Sequence, residues 1–235
     1  MTSWSTSARP VGGGYASKVP ADAERLHELP LGPDPGVAVA AIGTGRTAVG
    51  LLDQIRLGRE DRVIVTSAAG GLGVLLLREL RAVGATSVGL AGGSAKVRAA
   101  REAGPRTRST TSILPGPKRC ETPPGSATVL LDGVGGEVAE TAARLLVPGG
   151  RVLSFGWSSG RRATGRDHVV VDVPLGPKLL SRPGGPRSLE EDALAAAADG
   201  TRVPVVGSRY PLEDAALAHR DLEQRRTVGK VVLEP

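Results

Sequence analysis

From Gly36 the chain runs VAVAAIGTGRTAVGLLDQIRL, with Val49, Leu52 and Ile55 at helical spacing. A helix is expected over 36–57, interrupted at Gly43-Thr44-Gly45. After the polar turn GREDR, the β-branched run RVIVT (62–66) predicts a strand entering a glycine-rich turn, and 72–83 predicts a helix packed close to it. SVGLA (87–91) predicts the next strand and about 95–102 the next helix. TVLL (128–131) and RVLSF (151–155) predict further strands. The helix VAETAARLL (138–146) falls between them, and Pro148-Gly149-Gly150 is its stop signal. The repeated alternation predicts an α/β fold with a parallel, doubly wound sheet and right-handed crossovers.

The flanks are less regular. Residues 1–36 are rich in Gly, Pro and small polar residues, with a short strand expected over 14–19 and a turn at LGPDPG. Beyond Gly156 the rhythm loosens into SSGRRATGRDH. A strand HVVVDV, a Pro/Gly-rich linker, helices over 189–198 and 212–224, and a short strand over 229–233 follow. The segment from Pro105 to Ala127 should carry the third strand, yet its one apolar pair is Ile113-Leu114, so a loop is expected. With codons ending in G or C, a one-base shift would turn Arg106 to Ser112 into Ala-Asp-Ala-Val-Asp-Asp-Leu, the kind of segment the rhythm lacks there.

Composition narrows the class. At 235 residues and 40% hydrophobic content the chain can bury a sizeable core. Aromatics are only 2% against 33 Gly and 18 Pro, so Val, Leu and Ala must fill that core between many turns. The net charge of +6 is scattered among acids, without a basic run interleaved with aromatics, so no nucleic-acid partner is expected. Cys120 is the single cysteine, which excludes an internal disulfide, and no Cys/His cluster has metal-ligand spacing, so no metal is expected. No apolar stretch of about 18 residues or export signal is read. A reducing cytoplasm is the default setting.

The strongest chemical signal is Ser67-Ala68-Ala69-Gly70-Gly71-Leu72-Gly73, set between the strand RVIVT and the helix LLLRELRAV. A pyrophosphate needs backbone N–H groups at a helix N-terminus, and glycines allow close approach. Ala69, Gly70, Gly71, Leu72 and Gly73 form that surface. The pattern is A-x-G-x-x-G, and its value comes from the strand before and the helix after it. The alternative is a structural βα turn without ligand.

The second strand ends at Ala91-Gly92-Gly93-Ser94-Ala95-Lys96, without the carboxylate that would hold the ribose hydroxyls of NAD. Gly93, Ser94 and Lys96 instead suit a 2′-phosphate, which points to NADP(H). The alternative is a solvated lysine at a helix start. Two later strand ends, Asp132-Gly133-Val134-Gly135-Gly136 and Phe155-Gly156, are also placed to border a ligand. Asp132 is equally suited to capping the following helix.

GTGRTAVGLLDQIRLGREDRVIVTSAAGGLG, LLDGVGG, VPGGRVLSFGWSSG and the closing RRTVGKVVL together resemble the medium-chain dehydrogenase/reductase superfamily. The nearest branch is the zinc-free quinone oxidoreductases of the zeta-crystallin kind. The likeness runs from about Gly12 to the C-terminus, apart from the irregular segment. It implies a Rossmann-type domain binding NADP(H), with Gly70 to Gly73 on the pyrophosphate, Lys96 on the 2′-phosphate and Thr47 near the nicotinamide. Gly133, Val134, Gly135, Phe155 and Gly156 would border the ribose and nicotinamide, and Lys230 would approach the cofactor or lie beside a strand at the surface.

Members of that family open with a long GroES-like β domain, whose match here begins only near Gly12-Gly13-Gly14-Tyr15-Ala16. The resemblance therefore implies residues 1–45 as a remnant of that domain, 46–175 as the NADP-binding domain and 176–235 as a C-terminal return segment. The implied activity is hydride transfer from NADPH to a quinone or α,β-unsaturated carbonyl in a homodimer. The protein supplies position, so no catalytic residue is nominated. Two other readings stay open: an enoyl-thioester reductase-like domain, and a catalytically silent NADP(H)-binding remnant or sensor.

Overall fold

The computed structural model describes residues 4–6, 13–29, 34–103, 125–162, 170–172 and 182–235. In chain order its elements are β1 (Trp4–Thr6), a 3-10 turn (Ala23–Arg25), β2 (Leu26–Glu28), α1 (Pro35–Ala40), a π-helical turn (Ala41–Gly45), α2 (Arg46–Gln54), β3 (Arg62–Val65), α3 (Gly71–Ala82), β4 (Thr86–Gly89) and α4 (Ser94–Ala103). There follow β5 (Ala127–Asp132), α5 (Gly136–Ala143), β6 (Leu146–Ser154), β7 (Val170–Asp172), α6 (Gly185–Ala198), β8 (Val206–Pro211), a 3-10 turn (Leu212–Asp214), α7 (Ala215–Glu223) and β9 (Lys230–Glu234). The chain divides into a terminal unit, Met1–Gly50 with Gly70–Leu72 and Leu180–Pro235, and a central unit, Leu51–Ala69 with Gly73–Leu179.

The central unit is built on a five-stranded parallel sheet in the order β4-β3-β5-β6-β7. Val63, Ile64, Val65, Val129, Leu130 and Leu131 are all buried, as near-continuous apolar runs are when helices cover both faces of a parallel sheet. Ile64, Leu90, Leu130, Leu146 and Val152 share a core cluster with Ala142 and Ala143. Burying each such leucine contributes about 1.5–3 kcal/mol. The chain goes outward from β3 to β4, then returns to the other side of β3 for β5. This reversal makes the β3/β5 junction the topological switch point. Asp61 pins the GREDR turn to it: its carboxylate accepts from the Gly58 N–H at 2.9 Å and the Thr128 hydroxyl at 2.8 Å.

In the terminal unit β1 pairs antiparallel with β2, and β8 pairs parallel with β9. Asp34 caps α1 by accepting from the Val37 N–H at 3.2 Å, with Pro35 at the first helical position. The expected interruption at Gly43-Thr44-Gly45 is a π-helical turn inside a continuous helix. Gly45 lets α6 approach: a Cβ there would lie 3.0 Å from the Ala193 Cβ. Ala38, Ala41, Ile42, Leu194 and Ala197 form the core of this packing.

Several expectations are corrected. Residues 14–19 form no strand, with bends over 15–18, Tyr15 exposed and its hydroxyl 2.7 Å from His219 Nε2. The helix expected to reach Leu146 ends at Ala143, because Leu146 already pairs with Ala127. β2 and β8 were not expected; β8 is too polar to read alone and is defined by its pairing with β9. No membrane-crossing stretch was expected, yet the helix Pro35–Gln54 is long and apolar enough to be one by length and composition. Its apolar window is 61% buried inside the protein, as in a core helix. Of the irregular segment, residues 105–124 lie outside the described residues.

Asp34 also accepts from Arg209 at 2.5 Å, and this bond holds its carboxyl below the ordinary carboxylate value. A depressed pKa contributes stability that is present above the unfolded-state value and is lost as pH falls through the folded one. Asp34→Asn is therefore expected to lower the thermal midpoint at neutral pH, with the deficit vanishing in acid. A deficit that persists at low pH would count against the ion pair.

Candidate cofactor-binding site

At the switch point of the central unit, Thr66 directly follows β3 and Asp132 closes β5, both fully buried. The Thr66 hydroxyl donates to Asp132 Oδ1 at 2.8 Å and accepts from the Gly133 N–H at 2.8 Å. Asp132 Oδ1 also accepts from the Val134 N–H at 3.0 Å, and Oδ2 from the Gly135 N–H at 3.0 Å. Asp132 thus shapes the turn ahead of α5 through its own backbone, and its carboxylate faces inward. Of the two roles read from sequence, the structure gives it the structural one, although as a turn-former, since α5 itself is capped by Gly135 without a side-chain bond. Thr66 was not singled out; its signal is a lone hydroxyl ending an apolar strand.

The two later strand ends meet. The Phe155 ring occupies the space where a Cβ at Gly133 would stand, and a Cβ at Gly156 would lie 3.0 Å from the Gly133 carbonyl oxygen. Gly135, at φ +71°, lies against the Arg161 carbonyl, so a side chain is excluded there on both counts. Val134 remains half-buried beside them.

The glycine-rich turn begins at Ser67, whose φ of 51° is in the left-handed region. Ala68 and Ala69 are buried, and the Ala68 N–H continues the ladder to the Leu90 carbonyl at 3.1 Å. A Cβ at Gly73 would collide with the Ser67 carbonyl and lie 2.8 Å from the Ala68 Cα, so the helix start approaches the turn as only glycine permits. The second strand end is different. A Cβ at Gly92 or Gly93 would meet nothing within 4 Å, and Gly93 has φ +85°. Ser94, exposed, opens α4, and Lys96 is half-buried in its first turn. Two glycines bordering open space thus lead into a helix N-terminus that carries a hydroxyl and a lysine, residue types suited to a phosphate.

The remaining expected site residues lie in the terminal unit. Gly70 forms an isolated parallel bridge with Gly229, and Gly71 starts α3 with Leu72 next to it. The Lys230 stem lies against Gly71: a Cβ there would be 2.6 Å from Lys230 Cδ. Thr47 donates its hydroxyl to the Gly43 carbonyl one turn earlier at 3.3 Å, a helix back-bond. Among the described residues, no group of three or more His, Cys, Asp or Glu could hold a metal ion.

The sequence profile of the zinc-binding dehydrogenases matches residues 77–233. The chain belongs to that family. The quinone oxidoreductase of Pseudomonas aeruginosa is 30% identical over 231 residues, covering 90% of this chain and 68% of that protein. A 2-haloacrylate reductase of a Burkholderia species is 28% identical over 238 residues, covering 95% and 71%. The quinone oxidoreductase of Thermus thermophilus, solved alone and with NADPH, superposes with a TM-score of 0.72 at 27% identity, covering 95% of this chain and 74% of that one. The family resemblance and the parallel α/β fold expected from the motifs are both borne out.

Proposed function

We propose that this oxidoreductase uses NADPH to reduce a quinone or an α,β-unsaturated carbonyl compound. What supports the choice of cofactor is the β4–α4 turn, Ala91 to Lys96, whose sequence carries Ser94 and Lys96 and no Asp or Glu. An acid there would repel a 2′-phosphate, whereas a lysine attracts it. The Thermus relative solved with NADPH agrees with this reading.

In this reading residues 46–175 are the NADP-binding domain, 1–45 belong to a substrate-side domain, and 176–235 are the return segment. Gly93, Ser94 and Lys96 hold the 2′-phosphate. Gly133, Val134, Gly135, Phe155 and Gly156 border the ribose and nicotinamide, with Asp132 and Thr66 fixing the turn. Ala69 and Gly73 belong to the pyrophosphate turn. In the terminal unit, Gly70, Gly71 and Leu72 continue it and Lys230 supplies a cation. A lysine at a helix N-terminus is unfavourable until an anion joins it; among the described residues Lys230 has no ion pair. Thr47 completes the set. NADPH bound there supplies a hydride, and the protein's part is to orient the acceptor and limit water. The same reading gives a cytoplasmic homodimer acting on a small molecule, with no nucleic-acid or membrane partner.

Calorimetric titration with NADPH and NADH tests this, with quinone-dependent NADPH oxidation followed in the same samples. Lys96→Ala is expected to weaken NADPH binding tenfold or more, a loss of about 1.5–3 kcal/mol for a charge-assisted contact, and to leave NADH nearly unaffected. Equal losses for both nucleotides would remove Lys96 from the phosphate site. Binding without oxidation of NADPH would identify a silent binder, and preference for a crotonyl-type thioester over quinones would favour an enoyl-thioester reductase.

A further inference from the structure

The terminal unit contains a cavity of about 1070 Å³ whose lining cations are Arg25, Arg46, Arg209 and Lys230. Their charges are not equally available. Arg209 is held by Asp34 at 2.5 Å and Glu234 at 2.5 Å, which also line the cavity. Arg25 and Lys230 have no ion pair among the described residues.

Arg46 is a third case. Its Nη1 donates to Glu190 Oε1 at 2.6 Å, and the other oxygen of Glu190 is 2.8 Å from His27 Nε2. Glu190 is 4% exposed and His27 3%, while the Arg46 side chain is 34% exposed. A buried carboxylate with a partner on each oxygen cannot swing, so it fixes the guanidinium at the cavity wall. A guanidinium has five N–H donors, and the contact to Glu190 is the single hydrogen bond the Arg46 side chain makes among the described residues. The others are left for a ligand. Burying an ion pair gives little stability over an apolar core of the same volume. Holding an arginine that opens on a cavity is a use that an apolar core could not serve.

We propose that Arg46 is the carboxylate anchor of this cavity, with Glu190 and His27 as positioning residues. The planar fork of arginine matches a carboxylate with two parallel bonds, and Val39, Ile42 and Leu222 supply apolar wall for a conjugated carbon skeleton. The acceptor class is therefore an α,β-unsaturated acid. Describing the anion as an acceptor rests on the reductase reading above; the anchor itself does not.

The test is calorimetric binding of cinnamate and of cinnamamide, its neutral counterpart, to the full chain. The wild type is expected to prefer cinnamate at least tenfold, and Arg46→Gln to bring the ratio close to one. Arg46→Lys keeps the charge without the fork and is expected to reduce the ratio at least threefold, so the question is answered even where glutamine impairs folding. A wild-type ratio near one, or a ratio retained in a folded variant, overturns the anchor. NADPH titration of the same samples reads the reductase proposal separately. Cinnamate preference without NADPH binding sinks that proposal and keeps the anchor, and NADPH binding without the preference does the reverse.

Discussion

Gly73→Val is expected to destabilise the protein by about 3 kcal/mol, the upper end of what overpacking costs, and to abolish nucleotide binding in the molecules that stay folded. The atoms nearest the new Cβ would all be backbone, the Ser67 carbonyl oxygen and the Ala68 Cα and carbonyl carbon, and backbone cannot rotate away as a side chain can. Relief requires α3 to move off the turn that is proposed to receive the pyrophosphate. Gly92→Ala is the control, since its Cβ would meet nothing within 4 Å; its effect on stability should stay within about 0.5 kcal/mol. Urea unfolding and NADPH titration of both variants give the comparison. Equal stability of Gly73→Val and the wild type would show that the close approach does not constrain the fold.

Asp132→Ala should cost about 3 kcal/mol by a different route. It deprives the Thr66 hydroxyl and the Val134 and Gly135 N–H groups of their acceptor in a fully buried place. Each buried donor left without a partner costs about 1–3 kcal/mol. Asp132→Asn keeps one acceptor oxygen and should lose less. Because the same turn is proposed to border the nicotinamide, the alanine variant loses nucleotide affinity together with stability. Lys96→Ala should lose affinity alone. An Asp132→Ala protein as stable as the wild type would remove the carboxylate from its structural role.

The contrast between these residues marks what a sequence displays. Gly73 was legible because its neighbours are: RVIVT before it and LLLRELRAV after it place it where a strand turns into a helix. The Ser94-Lys96 pair was legible for the same reason, and so was the absence of an acid there. Asp132 was seen as a choice between two roles, and the choice depended on where its carboxylate points. Thr66 and Asp132 are 66 residues apart, and no local pattern joins them.

The sequence by itself determined the αβ alternation, the strand-turn-helix around Gly70 to Gly73 and the family, since each depends on periodicity or on short ordered motifs within one or two elements. Tertiary structure alone decided the rest. It set the order β4-β3-β5-β6-β7, and with it the switch point, because strand neighbours are chosen by packing across the sheet. It turned an expected break at Gly43 to Gly45 into a π-helical turn, since α6 packing on Gly45 outweighs the weak helix propensity of two glycines. It also joined His27 and Glu190, 163 residues apart, to Arg46. A charge can be buried only where its partners converge, and convergence is a property of the folded chain.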